Sequence, residues 1–391
     1  MPLVSTDEHA LIRAFASEAV HWRQTIHSQP ELLYDLPQTS AFVAAKLLEF
    51  GCDDVVEGLG GCGVVGVIRG REEGPRITAL RAEMDALPIV EETGLPYASL
   101  TPGKMHACGH DGHTATLLAA AKFLCATRAF AGTAIAVFQP AEEGGAGARA
   151  MIEDGVVEKF GIQRIFALHN LPGLPVGSFA TRGGPVMSAS DRFVIKIKGR
   201  GGHAAMPHKA NDPIACAANI VNAINSMVSR YCDPLEPVVL SVNSIHGGEA
   251  FNVIPEHVEM RGSLRTIVAA TRQDCKLRLD RLCSGMAEAL DLDIELTHIP
   301  IYAPTVNDPE IATKVLDVLA DEFGVERVQV SDVMMGAEDF SFFLEKLPGC
   351  FVWYGNGDTP SLHNPRYDFS DTAIEHGAQA LVVMLRSDAG V

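Results

Sequence analysis

Apolar residues recur three and four positions apart through Leu11, Ile12, Phe15, Ala19, Trp22 and Ile26, the spacing that lines one face of a helix. The pattern predicts a helix over 7–28 with Thr6 or Asp7 as N-cap. Pro30 ends it by pushing the preceding residue out of helical geometry. A second helix is predicted over 37–50, with Gly51 as its C-cap. The period then changes, and the runs 63–68 and 76–81 read as strands, the second delivering Glu83 and Asp85 at its end. From there helices and strands alternate. An Ala- and Leu-rich helix over 114–126 is hydrophobic nearly all round and therefore expected to be buried. A strand over 132–138 runs into Gln139-Pro140-Ala141-Glu142-Glu143, a helix is predicted over 146–154, and a strand over 164–168 ends in His169-Asn170. Polar residues thus follow strands, where open α/β sheets carry their sites.

Near Met187 the pattern shifts. Residues 193–198 alternate as a strand with one exposed face, and Gly199 to His203 reads as a tight polar turn. A helix over 212–230, strands over 238–245 and 257–264, a helix over 270–290 and a strand over 293–299 complete a β-α-β-β-α-β order. That order fits a ferredoxin-like α+β module, 188–301, inserted into a larger domain made of 1–187 and 302–391. Its lysine-edged strands make it a candidate for edge pairing or dimer contact. From Tyr302 the first grammar returns, with a helix over 309–323, a short strand near Val328, a strand over 350–354 and a closing helix over 371–386. The fold class expected is α/β, a discontinuous domain with a central mixed sheet flanked by helices.

A chain of 391 residues exceeds one ordinary compact domain, which agrees with two. Hydrophobic residues at 47% and charged residues at 20% exclude a mostly disordered chain and place it among soluble globular proteins. No apolar run reaches the length of a membrane span, and residues 1–13 lack the basic start and apolar core of a secretory signal. Nine cysteines without a repeating spacing argue against a disulfide framework and for a reducing cytoplasm. The net charge of −18 disfavours nucleic acid and anionic membrane as partners.

Candidate chemistry centres on Met105-His106-Ala107-Cys108-Gly109-His110-Asp111-Gly112-His113, read as a loop opening a helix at about Gly112. With Glu143, His169 and His363, the pair Cys108 and His110 forms a mixed thiolate, imidazole and carboxylate set. Such a set suits divalent zinc, manganese, cobalt or nickel better than calcium or magnesium. Five ligands are more than one tetrahedral catalytic site uses while leaving room for water; two metals bridged by Cys108 and a water would accommodate them. Each residue also has an ordinary reading, as a buried thiol, a hydrogen-bonded loop histidine or a solvated glutamate. Spacing alone does not bring them together.

Five ordered motifs carry a resemblance that spans essentially the whole chain: Arg81-Ala82-Glu83-Met84-Asp85-Ala86-Leu87-Pro88, Met105 to Asp111, Gln139-Pro140-Ala141-Glu142-Glu143, Gly336-Ala337-Glu338-Asp339-Phe340 and Leu362-His363-Asn364-Pro365. Together they closely resemble the metal-dependent amidohydrolases that include hippurate hydrolase, N-acyl-amino-acid amidohydrolases and plant auxin-conjugate hydrolases. The wider superfamily includes aminoacylases, dipeptidases and glutamate-releasing carboxypeptidases. The resemblance implies two divalent metals on Cys108, His110, Glu143, His169 and His363, and a catalytic role for Glu142. The wider superfamily has His-x-Asp where this chain has Glu83-Met84-Asp85, and a bridging aspartate where it has Cys108; both departures match the hippurate-hydrolase branch.

Glu142 is then the general base and acid of amide hydrolysis, while Asp85 and Asp111 are expected to orient ligand imidazoles. The resemblance makes the insertion a lid and dimerisation domain. It implies that His203 stabilises the oxyanion, often across a dimer, and that Asn252 and Arg265 bind the substrate carboxylate. The expected enzyme cleaves N-acyl or N-aroyl amino acids into a carboxylic acid and a free amino acid. Alternatives are a dipeptidase or carboxypeptidase of the same clan and, in another class, an inactive metal-binding or scaffold protein.

Overall fold

In the computed structural model, which describes residues 3–389, the first helix is Thr6–Ser28 and its N-cap is Ser5, one residue earlier than the apolar spacing suggests. The Ser5 hydroxyl accepts from the Glu8 backbone N–H, and the Glu8 carboxylate accepts from the Ser5 N–H, so two otherwise unpaired donors are satisfied reciprocally. The helix Pro37–Phe50 ends at Gly51, whose φ of 81° is the left-handed cap that glycine favours.

Described residues up to Val186, Val306–Asp332 and those from Asp339 form one compact unit; Met187–Thr305 with Val333–Glu338 forms another. The first unit is built on an eight-stranded mixed sheet. Its order is Asp54–Leu59, Gly63–Arg69, Ala131–Gln139, Glu72–Glu83, Arg164–Leu171, Gly349–Gly355, Phe179–Thr181 and Val328–Val330. The four strands from Ala131–Gln139 to Gly349–Gly355 run parallel. They are buried toward their carboxyl ends, as parallel strands covered on both faces must be. Their carboxyl ends lie together, which brings residues remote in sequence to one rim. The edge strand Asp54–Leu59 buries only Leu59 and so needs no long apolar run, which is why hydrophobic patterning does not reveal it.

The helix His110–Thr127 is buried on all sides but its tail, packed by the helices Thr6–Ser28, Pro37–Phe50 and Ala373–Ala389. It starts at His110, earlier than expected, because Gly109 caps it with φ 89°. A Cβ on Gly109 would lie 2.4 Å from the Asn170 amide nitrogen and 2.5 Å from the Tyr367 hydroxyl, so only glycine fits this turn. His110 and Asp111 thereby become consecutive positions of a first helical turn.

The second unit contains a four-stranded antiparallel sheet in the order Val238–His246, His257–Thr266, Ala189–Lys198, Asp293–Tyr302. The helices Pro213–Tyr231 and Ala269–Leu290 cover one face against Phe193, Ile195, Ile197, Met260 and Leu264. The other face carries Arg192, Lys196, Arg261 and Arg265. The strand bearing Lys196 and Lys198 is internal rather than an edge, because those lysines project from the open face and leave its backbone free to pair on both sides. That corrects the expectation of lysine-edged strands. No described helix is long and apolar enough to cross a membrane.

Candidate metal centre

The rim at the carboxyl ends of the parallel strands gathers the sequence candidates of the first unit. Asp85 follows the strand Glu72–Glu83, Glu142 and Glu143 follow Ala131–Gln139, His169 sits near the end of Arg164–Leu171, and Cys108 and His110 bracket the helix start. His363 comes from the loop after Gly349–Gly355 and is held at φ 64°. The Cys108 sulfur lies 3.5 Å from His169 Nε2, and His363 Nε2 lies 3.3 Å from Glu143 Oε1. Donor atoms of Cys108, Glu143 and His363 are all within 4.8 Å of one another, as are those of His110, Glu142 and Glu143. Two groups therefore share Glu143.

The ring nitrogens settle how the histidines present themselves. His110 Nδ1 lies 2.9 Å from the Asp85 carbonyl and His169 Nδ1 2.8 Å from the Asn170 carbonyl. A carbonyl only accepts, so each Nδ1 carries a proton, and Nε2 is the nitrogen left with the lone pair when the ring is neutral. His110 Nε2 is buried with no hydrogen-bond partner among the described residues, while His169 Nε2 faces Cys108. Imidazoles steadied through one nitrogen and bare at the other are the form that binds metal.

The segment carrying the two glutamates is tightly fixed. Asp85 Oδ1 accepts from the Glu142 N–H and its Oδ2 from the Glu143 N–H, each at 3.0 Å. The Asp339 N–H reaches Glu142 Oε1 at 3.4 Å. Ala141 and Ala146 flank the pair at φ 53° and 58°, a left-handed conformation costing of order 1 kcal/mol or more per non-glycine residue. A Cβ on Gly147 would fall 1.7 Å from the Pro140 carbonyl, so the turn is too tight for any other residue. Asp85 thus works mainly on the glutamate loop; its carboxylate approaches His110 Nδ1 only at 3.4 Å.

The cluster is electrically incomplete. Burial opposes a charge on His110, yet Asp85 and the carboxylates of Glu83 and Glu143 outweigh it and lift its pKa to about 10. Burial, then Glu143, Glu142 and Glu83, push the Cys108 thiol well up, whereas burial and the His113 charge drive His169 well below the usual histidine range. Thiol, imidazoles and carboxylates around a surplus of negative charge fit divalent cations of the zinc and manganese class.

Neighbouring residues divide differently from expectation. Asp111 does not touch a ligand imidazole: one position beyond His110 on the helix, it faces Arg23 Nε at 2.7 Å and His27 Nδ1 at 2.8 Å. The expected orienting role is corrected to membership of a buried ion network, because a helical step of one residue turns the side chain about 100° away. His113 is within 4.8 Å of Glu83, His110 and His169, but both its nitrogens are used, Nδ1 on Glu83 at 2.8 Å and Nε2 by the Asn170 N–H at 3.0 Å. His106 is fully buried, and burial lowers its pKa to about 3.

Sequence reasoning gave no role to the network under the rim. Arg81 pairs with Glu83 and donates to Asp339 at 2.7 Å, and Gln139 donates to Asp339 at 2.9 Å. Its signal was present, since Arg81 and Gln139 are charged or amide residues inside apolar strands. Burial raises Asp339 to about 6 against the opposing Arg81 charge.

The remaining candidates belong to the second unit. His203 lies in a two-strand ribbon of Gly202–His203 and Val253–Ile254, where the Ala204 N–H donates to the Asn252 carbonyl at 3.0 Å. The Ala205 N–H donates to His203 Nδ1 at 3.1 Å, which places the proton of a neutral His203 on Nε2. Arg265 lines a cavity of about 640 Å³ on the open sheet face with Arg192, Lys196 and Arg261. Burial, followed by the like charge of Arg192, lowers its pKa.

The profile of peptidase family M20/M25/M40 matches residues 79–387. The chain is 37% identical over 380 residues to N-acetylcysteine deacetylase of Bacillus subtilis, covering 96% of this chain and 99% of that protein. It is 40% identical over 357 residues to hippurate hydrolase of Campylobacter jejuni, covering 91% and 92%. Among solved structures, a Bacillus subtilis dinuclear metal binding peptidase superposes with a TM-score of 0.85 at 33% identity, covering 97% of this chain and 99% of that one.

Proposed function

The chain belongs to peptidase family M20/M25/M40 and is a metal-binding amidohydrolase, and from that premise we propose that it hydrolyses N-acyl or N-aroyl amino acids to a carboxylic acid and a free amino acid. The observation that carries the reading is the convergence of Cys108, His110, Glu143, His169 and His363 beside Glu142, whose carboxylate is steadied by the Asp339 N–H. Relatives named for acetylated and benzoylated amino acids support the same substrate class.

Cys108, His110, Glu143, His169 and His363 would hold two divalent cations, which would supply Lewis acidity toward the amide carbonyl and lower the pKa of water. Zinc, manganese, cobalt and nickel all suit the donor set. Glu142 takes one proton from the attacking water and returns it to the amide nitrogen as the carbon–nitrogen bond breaks. Asp85 keeps Glu142 and Glu143 in register by holding both backbone N–H groups. In the second unit, Arg265 and Asn252 receive the substrate carboxylate, and His203 donates from Nε2 to the developing oxyanion. A homodimer forms through the second unit, supported by the edge strand Val238–His246 with exposed Val239 and Ile245. The enzyme works in a reducing cytoplasm, where the Cys108 thiolate stays unoxidised.

The test is release of free amino acid from hippurate and a panel of N-acetyl amino acids, before and after chelation, with manganese, zinc, cobalt or nickel restored singly. Turnover of at least one substrate, abolished by chelator and recovered with one metal, is expected. Hydrolysis of unblocked dipeptides alone would move the assignment to a dipeptidase.

A further inference from the structure

Residues 30–36, which connect the first two helices, run beside the Asp85–Ala86 segment and reach the Glu142–Gly145 loop through Tyr34. The Ala86 N–H donates to the Glu31 carbonyl at 2.8 Å, Leu32 bridges to Ala86, and the Cys62 thiol donates to the Tyr34 carbonyl at 3.2 Å. Leu33 is held at φ 53°, which turns Tyr34 toward the loop. There the Tyr34 hydroxyl donates to the Gly145 carbonyl at 2.6 Å. A Cβ on Gly145 would come within 2.7 Å of the Ala141 Cβ and 3.2 Å of the Tyr34 ring, so the loop's own turn requires glycine there and the ring packs close against it. Four of the six non-glycine residues with left-handed φ among the described residues, Leu33, Ala141, Ala146 and His363, belong to this strap, this loop or the donor set. Strain of that kind persists only where surrounding contacts over-determine the backbone.

We propose that Tyr34 is a positioning residue for Glu142 and Glu143: its hydroxyl latches the far end of the loop whose near end is held by Asp85. With both ends fixed, the left-handed alanines cannot relax, and the two carboxylates stay aimed at the donor cluster. Without the hydroxyl the Gly145 carbonyl turns to water, and Glu143 loses part of its preorganisation. The proposal rests on Glu143 being a metal ligand, as in the function proposed above.

The test titrates Mn2+ alone into metal-free wild type and Tyr34→Phe by calorimetry, then measures kcat, KM and Tm of the reloaded proteins. A latch of one neutral hydrogen bond predicts Mn2+ binding weaker by about threefold to tenfold. It also predicts a similar fall in kcat, KM within about twofold, and a Tm within about 2 °C of wild type. Leu33→Gly, which relieves the left-handed strain and keeps the hydroxyl, should match wild type in Mn2+ affinity. Unchanged Mn2+ affinity in Tyr34→Phe would overturn the latch, as would a loss matched by a large drop in Tm. Tyr34→Ala separates ring from hydroxyl: affinity lost there but kept in Tyr34→Phe also overturns it. If wild type binds Mn2+ and hydrolyses no N-acyl amino acid, the function fails while the calorimetric comparison still decides the latch.

Discussion

Two buried polar clusters begin at successive residues of one helix, and they are built on opposite principles. Asp111 opens a network in which charge is matched from within. The Arg23 guanidinium meets Asp111 at 2.7 Å, Asp368 at 2.5 Å and Asp371 at 3.3 Å, and stacks over the Tyr97 ring at 4.9 Å. His27 adds a second cation between Asp111 and Glu91. His110 opens a cluster in which donor atoms of Cys108, Glu142 and Glu143 gather, and in which a buried imidazole nitrogen has no hydrogen-bond partner among the described residues. Buried charge needs compensation. One cluster carries its compensation in the chain and reads as structure; the other leaves room for cations and reads as chemistry.

The largest separation between the two is expected from Glu142→Gln. It leaves every donor of the metal cluster in place, so metal content by mass spectrometry should equal wild type while kcat falls about a thousandfold. A variant with wild-type turnover would break the assignment of Glu142 as base. Next, Arg23→Leu strips the neighbouring network of its cation and should destabilise folding by about 3 kcal/mol in urea titration. The molecules that remain folded should bind Mn2+ as wild type does. Loss of metal binding without loss of stability would mean that the two clusters are one.

The division was partly legible in the chain. Cys108, His110, Glu143, His169 and His363 stood out because their types are those of metal ligands and because each follows a strand or starts a helix. Asp111 carried no such distinction. Adjacent to a ligand, it read as support for it, and only the helix start at His110, fixed by the close approach of Asn170 and Tyr367 to Gly109, turns it toward Arg23. Arg23 and His27 were invisible as partners, since they lie 88 and 84 residues away in sequence inside a helix whose apolar face alone had been traced. The strand order of the second unit followed from its element order, whereas Asp54–Leu59 escaped because an exposed edge strand needs no hydrophobic run. Tyr34 was equally silent, its role depending on the backbone turn at Leu33.

Asp85 belongs to the metal side of the comparison although it is no donor in the proposed set. Its two oxygens each accept from one loop N–H, and asparagine keeps the shape with only one acceptor. Asp85→Asn should therefore weaken metal binding and kcat together by about tenfold to a hundredfold, with a melting temperature near wild type. Equal Mn2+ affinity in calorimetry would place Asp85 in structure, beside Asp111.

A pH-dependent effect distinguishes how each cluster acquires its positive charge. Burial opposes protonation of His27, but the Asp111 charge and hydrogen bond, with Glu91, outweigh it and raise its pKa to about 9, against about 6.5 in an unfolded chain. A group raised on folding lends stability that is complete below the unfolded value and lost as pH climbs through the folded one. The His27 contribution is accordingly whole below about pH 6.5 and gone above about pH 9, with a size of about 3 kcal/mol. His110 has no such window in metal-loaded protein, because the cation takes the place of its proton. Urea titrations of loaded wild type and His27→Gln across this range should converge at the alkaline end and diverge toward pH 6.5, with wild type the more stable. A constant gap between the two would show that His27 acts through packing, and that Arg23 alone balances the carboxylates around it.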